Sequence, residues 1–280
     1  MDLDEYRRAS HDTWQRMAAG WERELDWIWS ASRPVGEGMV AMLDPKPGDT
    51  LLELAAGTGE TGFAAAALVG DSGKLISSDF AFEMVEAARR RAAQLGLRNV
   101  EFRVMDAEHM DLADDSVDGV LCRWGFMLMA DPAAALGETR RVLRDGGRVA
   151  FSVWGGPERN GWAVIARKAL DVHGHLPPAE PGAPGLFALA DPARIRALVT
   201  EAGFSEPRIE EVEVTWRFED FEGYWRFQTQ LAGGVALTLS KLSGAEGAEV
   251  YATMEHEASA HRDAGGGYAF PGMVLNAVAR

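Results

Sequence analysis

Residues 51–62 read LLELAAGTGETG. An apolar run ends here in small residues, and Gly57, Gly59 and Gly62 spell G-x-G-x-x-G. A strand that turns through glycines into a helix lets a ligand approach the backbone closely. No Cβ stands in the way, and the helix N-terminus offers free N–H groups with partial positive charge. Dinucleotide sites share this spacing, so the neighbouring residues must decide which ligand the loop fits. Glu53 lies four residues before Gly57, inside the apolar run. Its carboxylate would repel a pyrophosphate in that crevice and attract an ammonium or sulfonium group, which disfavours nicotinamide dinucleotides.

Outward from the loop, short apolar runs alternate with helical patterns. Strands are expected at 49–56, 73–80, 99–106, 116–124 and 148–155, with helices at 61–70, 84–95 and 131–147. The second helix closes at Gly96; the third has Pro132 in its first turn and a glycine stop at its end. Strands separated by such helices imply right-handed crossovers and a parallel sheet, a doubly wound α/β fold. Ligands of such sheets sit beyond the carboxyl ends of the strands. Asp79 ends the second strand, 22 residues after Gly57, where a carboxylate can accept both ribose hydroxyls. Asp106 ends the third, where it could accept an adenine amino proton.

The successive segments LLELAAGTGETG, SSDFAFEMVEAAR, VMDAEHMDLADDSVDGVLCRWGFMLMADP and LRDGGRVAFSVWG resemble the motifs of class I S-adenosylmethionine-dependent methyltransferases. They look most like the ubiquinone/menaquinone-biosynthesis-like small-molecule methyltransferases, in order and spacing over residues 48–155. The resemblance implies S-adenosylmethionine as cofactor, with Glu53, Ala55, Gly57 and Gly59 along its methionine half. It puts Asp79 on the ribose, Phe80 and Met84 beside the adenine, Asp106 and Ala107 at the adenine edge, and Arg123 near the sulfonium and amino-acid end. Ala55 departs from the family, which often has glycine there; alanine is small enough for the backbone approach to survive. The resemblance also implies a Rossmann-like seven-stranded sheet ending in an antiparallel strand pair, for which Arg208–Phe218 and Tyr268–Ala279 fit.

Around this core, Trp14, Met17, Trp21, Leu25, Ile28 and Trp29 recur at helical steps and form one apolar face. That face either packs on the sheet or closes as a lid. The expected organisation is a helical lid at 1–47, a cofactor-binding core at 48–218 and 265–280, and a helical cap inserted at 219–264. Further helices are expected at 161–173 and 191–202, a Pro/Gly-rich loop at 174–185, and Pro271 marks an edge or bulge in the last strand.

The 280 residues carry a formal net charge of −15, which argues against nucleic-acid binding and against docking on anionic membranes. The N-terminus has no secretory or transit pattern, and no stretch has the ~18 apolar residues of a membrane span. A single cysteine, Cys122, leaves no intramolecular disulfide and suits a reducing cytoplasm. Isolated histidines and the GDSGK turn at 70–74 make neither a metal site nor a protease, so no metal is expected. His11, His109 and His173 could each serve as a base, and none is assigned. The expected function is methyl transfer to a small, partly apolar or aromatic acceptor at O, C or N. The alternatives are S-adenosylmethionine binding with no transfer or with another reaction, then a nicotinamide-dependent oxidoreductase. A C-terminal edge strand could pair two copies as a homodimer.

Overall fold

The computed structural model describes residues 2–176 and 182–280. Helices α1 (Leu3–Arg23) and α2 (Leu25–Leu43) precede β1 (Thr50–Glu53), α3 (Glu60–Val69), β2 (Lys74–Asp79), α4 (Phe82–Leu95), β3 (Val100–Val104) and β4 (Val117–Arg123). There follow α5 (Pro132–Val142), β5 (Leu143–Trp154), α6 (Gly161–Val172), α7 (Pro192–Glu201), β6 (Arg208–Phe218), α8 (Phe221–Gln230), α9 (Gly234–Leu239), α10 (Gly244–Ala258) and β7 (Tyr268–Ala279). The strands form one seven-stranded sheet in the order β3-β2-β1-β4-β5-β7-β6. β1 to β5 are parallel, and β7 runs antiparallel to both β5 and β6.

The inner strands bury Leu51, Leu52, Leu75, Ile76, Val120 and Leu121 between covering helices, as a parallel sheet requires. Strand order reverses between β1 and β4. The chain leaves β1 toward β2 and returns to β4, so the two connections part and open a crevice at their carboxyl ends.

Three local expectations change. The N-terminal apolar face is broken at Glu24, where α1 ends and α2 begins. Trp14 and Trp21 pack around Ala18, Ala81 and Met84, whereas Val35, Met39, Val40 and Leu43 of α2 enter the main core. α2 therefore packs on β5, β6 and β7, and α1 alone lies along α4. Helix α5 ends at Val142 without a glycine stop, because Leu143 already pairs with Val117 as strand. β7 is interior, which leaves β3 and β6 as the sheet edges and removes the expected basis for pairing two copies through the C-terminal strand. Pro271 still has a local edge: β5 pairs only with residues from Val274 onward, so opposite Thr215 the strand has a neighbour on one side alone. Of the expected 174–185 loop, residues 177–181 lie outside the described residues.

Residues after β6 supply α8 to α10. Phe221 and Tyr224 pack against Tyr268 and Phe270, and the Tyr224 hydroxyl donates to the Trp162 carbonyl (2.6 Å). This part of the expected cap is continuous with the core.

Candidate functional site

Glu53, at the end of β1, is 2% exposed. Its Oε1 accepts from the Gly62 N–H (2.8 Å), in the first turn of α3, while its Oε2 is buried without a partner. Gly62 is glycine because a Cβ there would stand 2.2 Å from Glu53 Oε2. Burial pushes the Glu53 carboxyl up to about 8; the Gly62 N–H and Arg123 oppose the shift, and Glu60 and Asp79 add to it.

Arg123 closes β4, the strand beside β1. Its Nε donates to Thr61 Oγ1 (3.0 Å), its guanidinium lies over the Trp124 ring at 4.7 Å, and its Nη1 is buried without a partner. Burial pushes its pKa down, against the pull of Glu53 and Glu60. Among the described residues Glu53 and Arg123 form no ion pair with each other. A buried acid and a half-buried arginine with a buried Nη1 thus face one region, each with an unsatisfied atom, a costly state unless a ligand completes both.

The turn between them has room for one. Ala55 has φ 48° and Gly57 has φ 55°. A Cβ on Gly57 would meet nothing within 4 Å, so that backbone looks onto open space. Gly59 (φ 92°) caps α3, and there a Cβ would strike the Phe63 ring. Asp79, at the end of β2, holds the turn: its Oδ2 accepts from the Gly57 N–H (3.0 Å) and its Oδ1 from the Ala81 N–H (3.0 Å). Burial raises the Asp79 carboxyl to about 6 against these hydrogen bonds.

Beyond the ends of β2 and β3 lies a cavity of about 470 Å³. Phe80, Val104, Met105 and Asp106 line one side, and Arg7, Arg8, His11 and Asp12 of α1 line the other. The exposed Asp106 accepts from the Glu108 N–H (2.9 Å) through Oδ1. Met84 and Ala107 do not line this cavity. Met84 backs Phe80 in the small cluster beneath α1, and Ala107 is buried in the main core. The α1 residues carry no motif in the sequence, because they meet the cavity only through the tertiary packing of a helix about a hundred positions from its partners.

Past β4 the core is aromatic. Trp124, at φ 59°, stacks on Trp154 at the end of β5 (4.6 Å between ring centres). Trp162, Trp216 and Phe227 continue the cluster. A bulky residue held in the left-handed region is strained, and such strain concentrates at functional sites.

Sheet order, a strand-one acid and a glycine turn define a class I S-adenosylmethionine-dependent methyltransferase domain. Residues 45–157 match the family described as a methyltransferase domain, so this part of the chain is a domain of that class. Its relatives include a ubiquinone/menaquinone biosynthesis C-methyltransferase of Acidiphilium cryptum, 40% identical over 110 residues, covering 39% of this chain and 43% of the relative. A nocamycin O-methyltransferase of Saccharothrix syringae is 30% identical over 186 residues, 63% of this chain and 66% of the relative. The crystal structure of an S-adenosylmethionine-dependent methyltransferase from Aquifex aeolicus shares the fold, with a TM-score of 0.52 and 22% identity over 70% of this chain and 92% of that one. The chain spans about half the length, or less, of most curated relatives it matches.

Proposed function

We propose that this protein transfers a methyl group from S-adenosylmethionine to a small, partly apolar or aromatic acceptor. The observation that carries the reading is the unpaired Glu53 Oε2 and Arg123 Nη1 around an open glycine turn. An α-amino-acid zwitterion satisfies both, ammonium to Glu53 and carboxylate to Arg123. S-adenosylmethionine ends in such a group and a nicotinamide dinucleotide does not. Asp79 would take the ribose hydroxyls while it fixes Gly57, and Phe80 and Asp106 would meet the adenine in the 470 Å³ cavity. When bound, the cofactor supplies an electrophilic methyl on a sulfonium, for in-line displacement.

The chain's own contribution is proximity, orientation and a dry wall. Trp124, Trp154, Trp162 and Trp216 form a buried aromatic cluster past β4, and an acceptor that reaches its edge would meet apolar and aromatic surface rather than charge. Relatives named for ubiquinone/menaquinone biosynthesis and for nocamycin O-methylation support an acceptor of that small-molecule kind. Among the described residues no helix is long and apolar enough to cross a membrane. With Cys122 buried as a free thiol, we place the reaction in the cytoplasm.

Calorimetric titration with S-adenosylhomocysteine, beside NADH, tests the cofactor. We expect a Kd of about micromolar for the first alone, weakened at least about tenfold by Glu53→Gln through loss of a charge-assisted contact. Binding of NADH alone would return the site to the dinucleotide reading.

A further inference from the structure

The cavity next to Phe80 and Asp106 is bounded on one side by a helix that belongs to no motif of the domain. α1 starts at an Asp2 cap and runs past the carboxyl ends of β2 and β3. Its apolar residues Trp14, Met17 and Trp21 do not face the cavity; they anchor the helix on its neighbours. The polar face does, with Arg7, Arg8, His11 and Asp12. The His11 ring sits edge-on to Phe80 at 5.6 Å.

Near its N-terminus the helix is latched. Arg7 donates from Nε (2.9 Å) and Nη2 (2.6 Å) to Glu108 Oε2, a carboxylate whose side chain is only 4% exposed. The other oxygen, Glu108 Oε1, accepts from the Asp131 N–H (3.1 Å). The Tyr6 hydroxyl donates to the Leu128 carbonyl (2.8 Å). Farther along, the Gln15 side chain accepts from the Glu83 N–H (2.8 Å), and Arg90 donates twice to Glu22 (2.7 Å each). The first two ties differ from the last two in what they reach. Glu108 stands two residues after Asp106, and its own N–H is fixed by the Asp106 carboxylate. The latch therefore ends on the same turn that lines the cavity.

We propose that α1 is the outer wall of the nucleoside pocket, that His11 is a nucleoside-contacting residue, and that Arg7, through Glu108, is a positioning residue that sets how fast a bound nucleoside ligand leaves. This rests on the S-adenosylmethionine reading of the site. A ligand in the cavity rests against the adjoining Phe80 and His11 rings, and it leaves along the α1 side only when the helix lifts. Lifting breaks the Arg7–Glu108 contact and strands a shielded carboxylate with one hydrogen bond. Release of the product, which keeps the nucleoside, would then be gated by a contact that touches no reacting atom.

The test is release of S-adenosylhomocysteine from the full chain, followed by stopped-flow tryptophan fluorescence, with affinity measured on the same samples by calorimetry. Arg7→Met should speed release by about 10- to 100-fold, as expected for loss of a charged hydrogen bond, with little change in the association rate. Arg7→Lys should restore most of the slow release. His11→Ala should weaken adenosine and S-adenosylhomocysteine by the same factor, since both carry the nucleoside. Unchanged release in Arg7→Met, equal release in the Lys and Met variants, or a His11→Ala loss confined to one ligand would overturn the inference while S-adenosylhomocysteine still binds. Failure of the wild-type protein to bind S-adenosylhomocysteine would overturn the cofactor reading, and the inference with it.

Discussion

Glu53 makes the stability of the free protein fall as pH rises. Its carboxyl titrates near 8 in the folded chain against 4.5 when unfolded, because burial removes the water that would solvate the anion. A raised carboxyl pKa means that the folded state holds the extra proton. Stability from this group is present below pH 4.5, declines through the interval, and is gone above 8. At about 1.4 kcal/mol per unit the full decline approaches 5 kcal/mol, or about 8 °C in Tm for a chain of this size. The replacement Glu53→Gln keeps an acceptor for the Gly62 N–H and has no proton to lose. Between pH 5 and 8 the wild-type Tm should fall relative to this variant, and saturating S-adenosylhomocysteine should abolish the fall by placing an ammonium against the carboxylate. The same linkage predicts that binding near neutral pH releases a proton from the Glu53 carboxyl. Calorimetry in phosphate and in Tris measures it, since their ionisation enthalpies differ. Parallel Tm curves for the free proteins, or a binding enthalpy independent of buffer, would refute the assignment of the buried acid as the ammonium site.

Three further outcomes follow from single positions. Gly57→Ala puts a methyl into open space at φ 55°; it should cost only about 1–2 kcal/mol of stability yet lower S-adenosylhomocysteine affinity at least tenfold, about 1.4 kcal/mol, so Tm and Kd should part company. Ala55→Gly removes a Cβ from φ 48° and should stabilise the fold by about 1 kcal/mol in urea unfolding; a loss would mean that the Ala55 methyl's contacts outweigh the strain. Asn160 is fully buried; its amide donates to the carbonyls of Gly155, Gly156 and Met273 and its carbonyl accepts from the Met273 N–H and Trp162 Nε1. Asn160→Ala strands these groups and should lower unfolding free energy by about 3 kcal/mol or more.

The parallel half of the sheet was legible because its strands are short and mostly apolar and β1, β2, β4 and β5 each lead into a helix, and the acids that close β1 and β2 stand where a parallel sheet presents its ligand. Glu53 and Asp79 could thus be named from position, whereas Arg123 came only from the family resemblance. Other features left no local trace. The residue types at Ala55 and Trp124 give no hint of their positive φ, since neither favours that region. Nor does helical periodicity say which neighbour a face will meet. The apolar stripe of α1 indicated burial, yet Arg7 and His11 on its polar face reach the cavity, and Arg7 finds its partner 101 residues away. At the end of α5 the pairing of Leu143 with Val117 stopped the helix before the glycines could.

Register explains why Glu53 and Arg123 stay apart, and it separates a binding role from a structural one. Glu53 pairs with Leu121, so Arg123 lies two residues farther along β4, about 7 Å at the usual rise per residue, and its side chain turns to Thr61 instead. If the two charges served only the fold, a direct salt bridge would be the cheaper arrangement, and removing both would harm stability. If they serve a zwitterion, removing both relieves two buried, incompletely bonded groups. We expect the double variant Glu53→Gln with Arg123→Met to be at least as stable as the wild type at pH 8, as apolar replacements of buried charges often are, and to lose S-adenosylhomocysteine binding. A destabilisation above about 2 kcal/mol, beyond the usual cost of a lost hydrogen bond, would assign the charges to the fold. Equal stability with intact binding would assign them to neither.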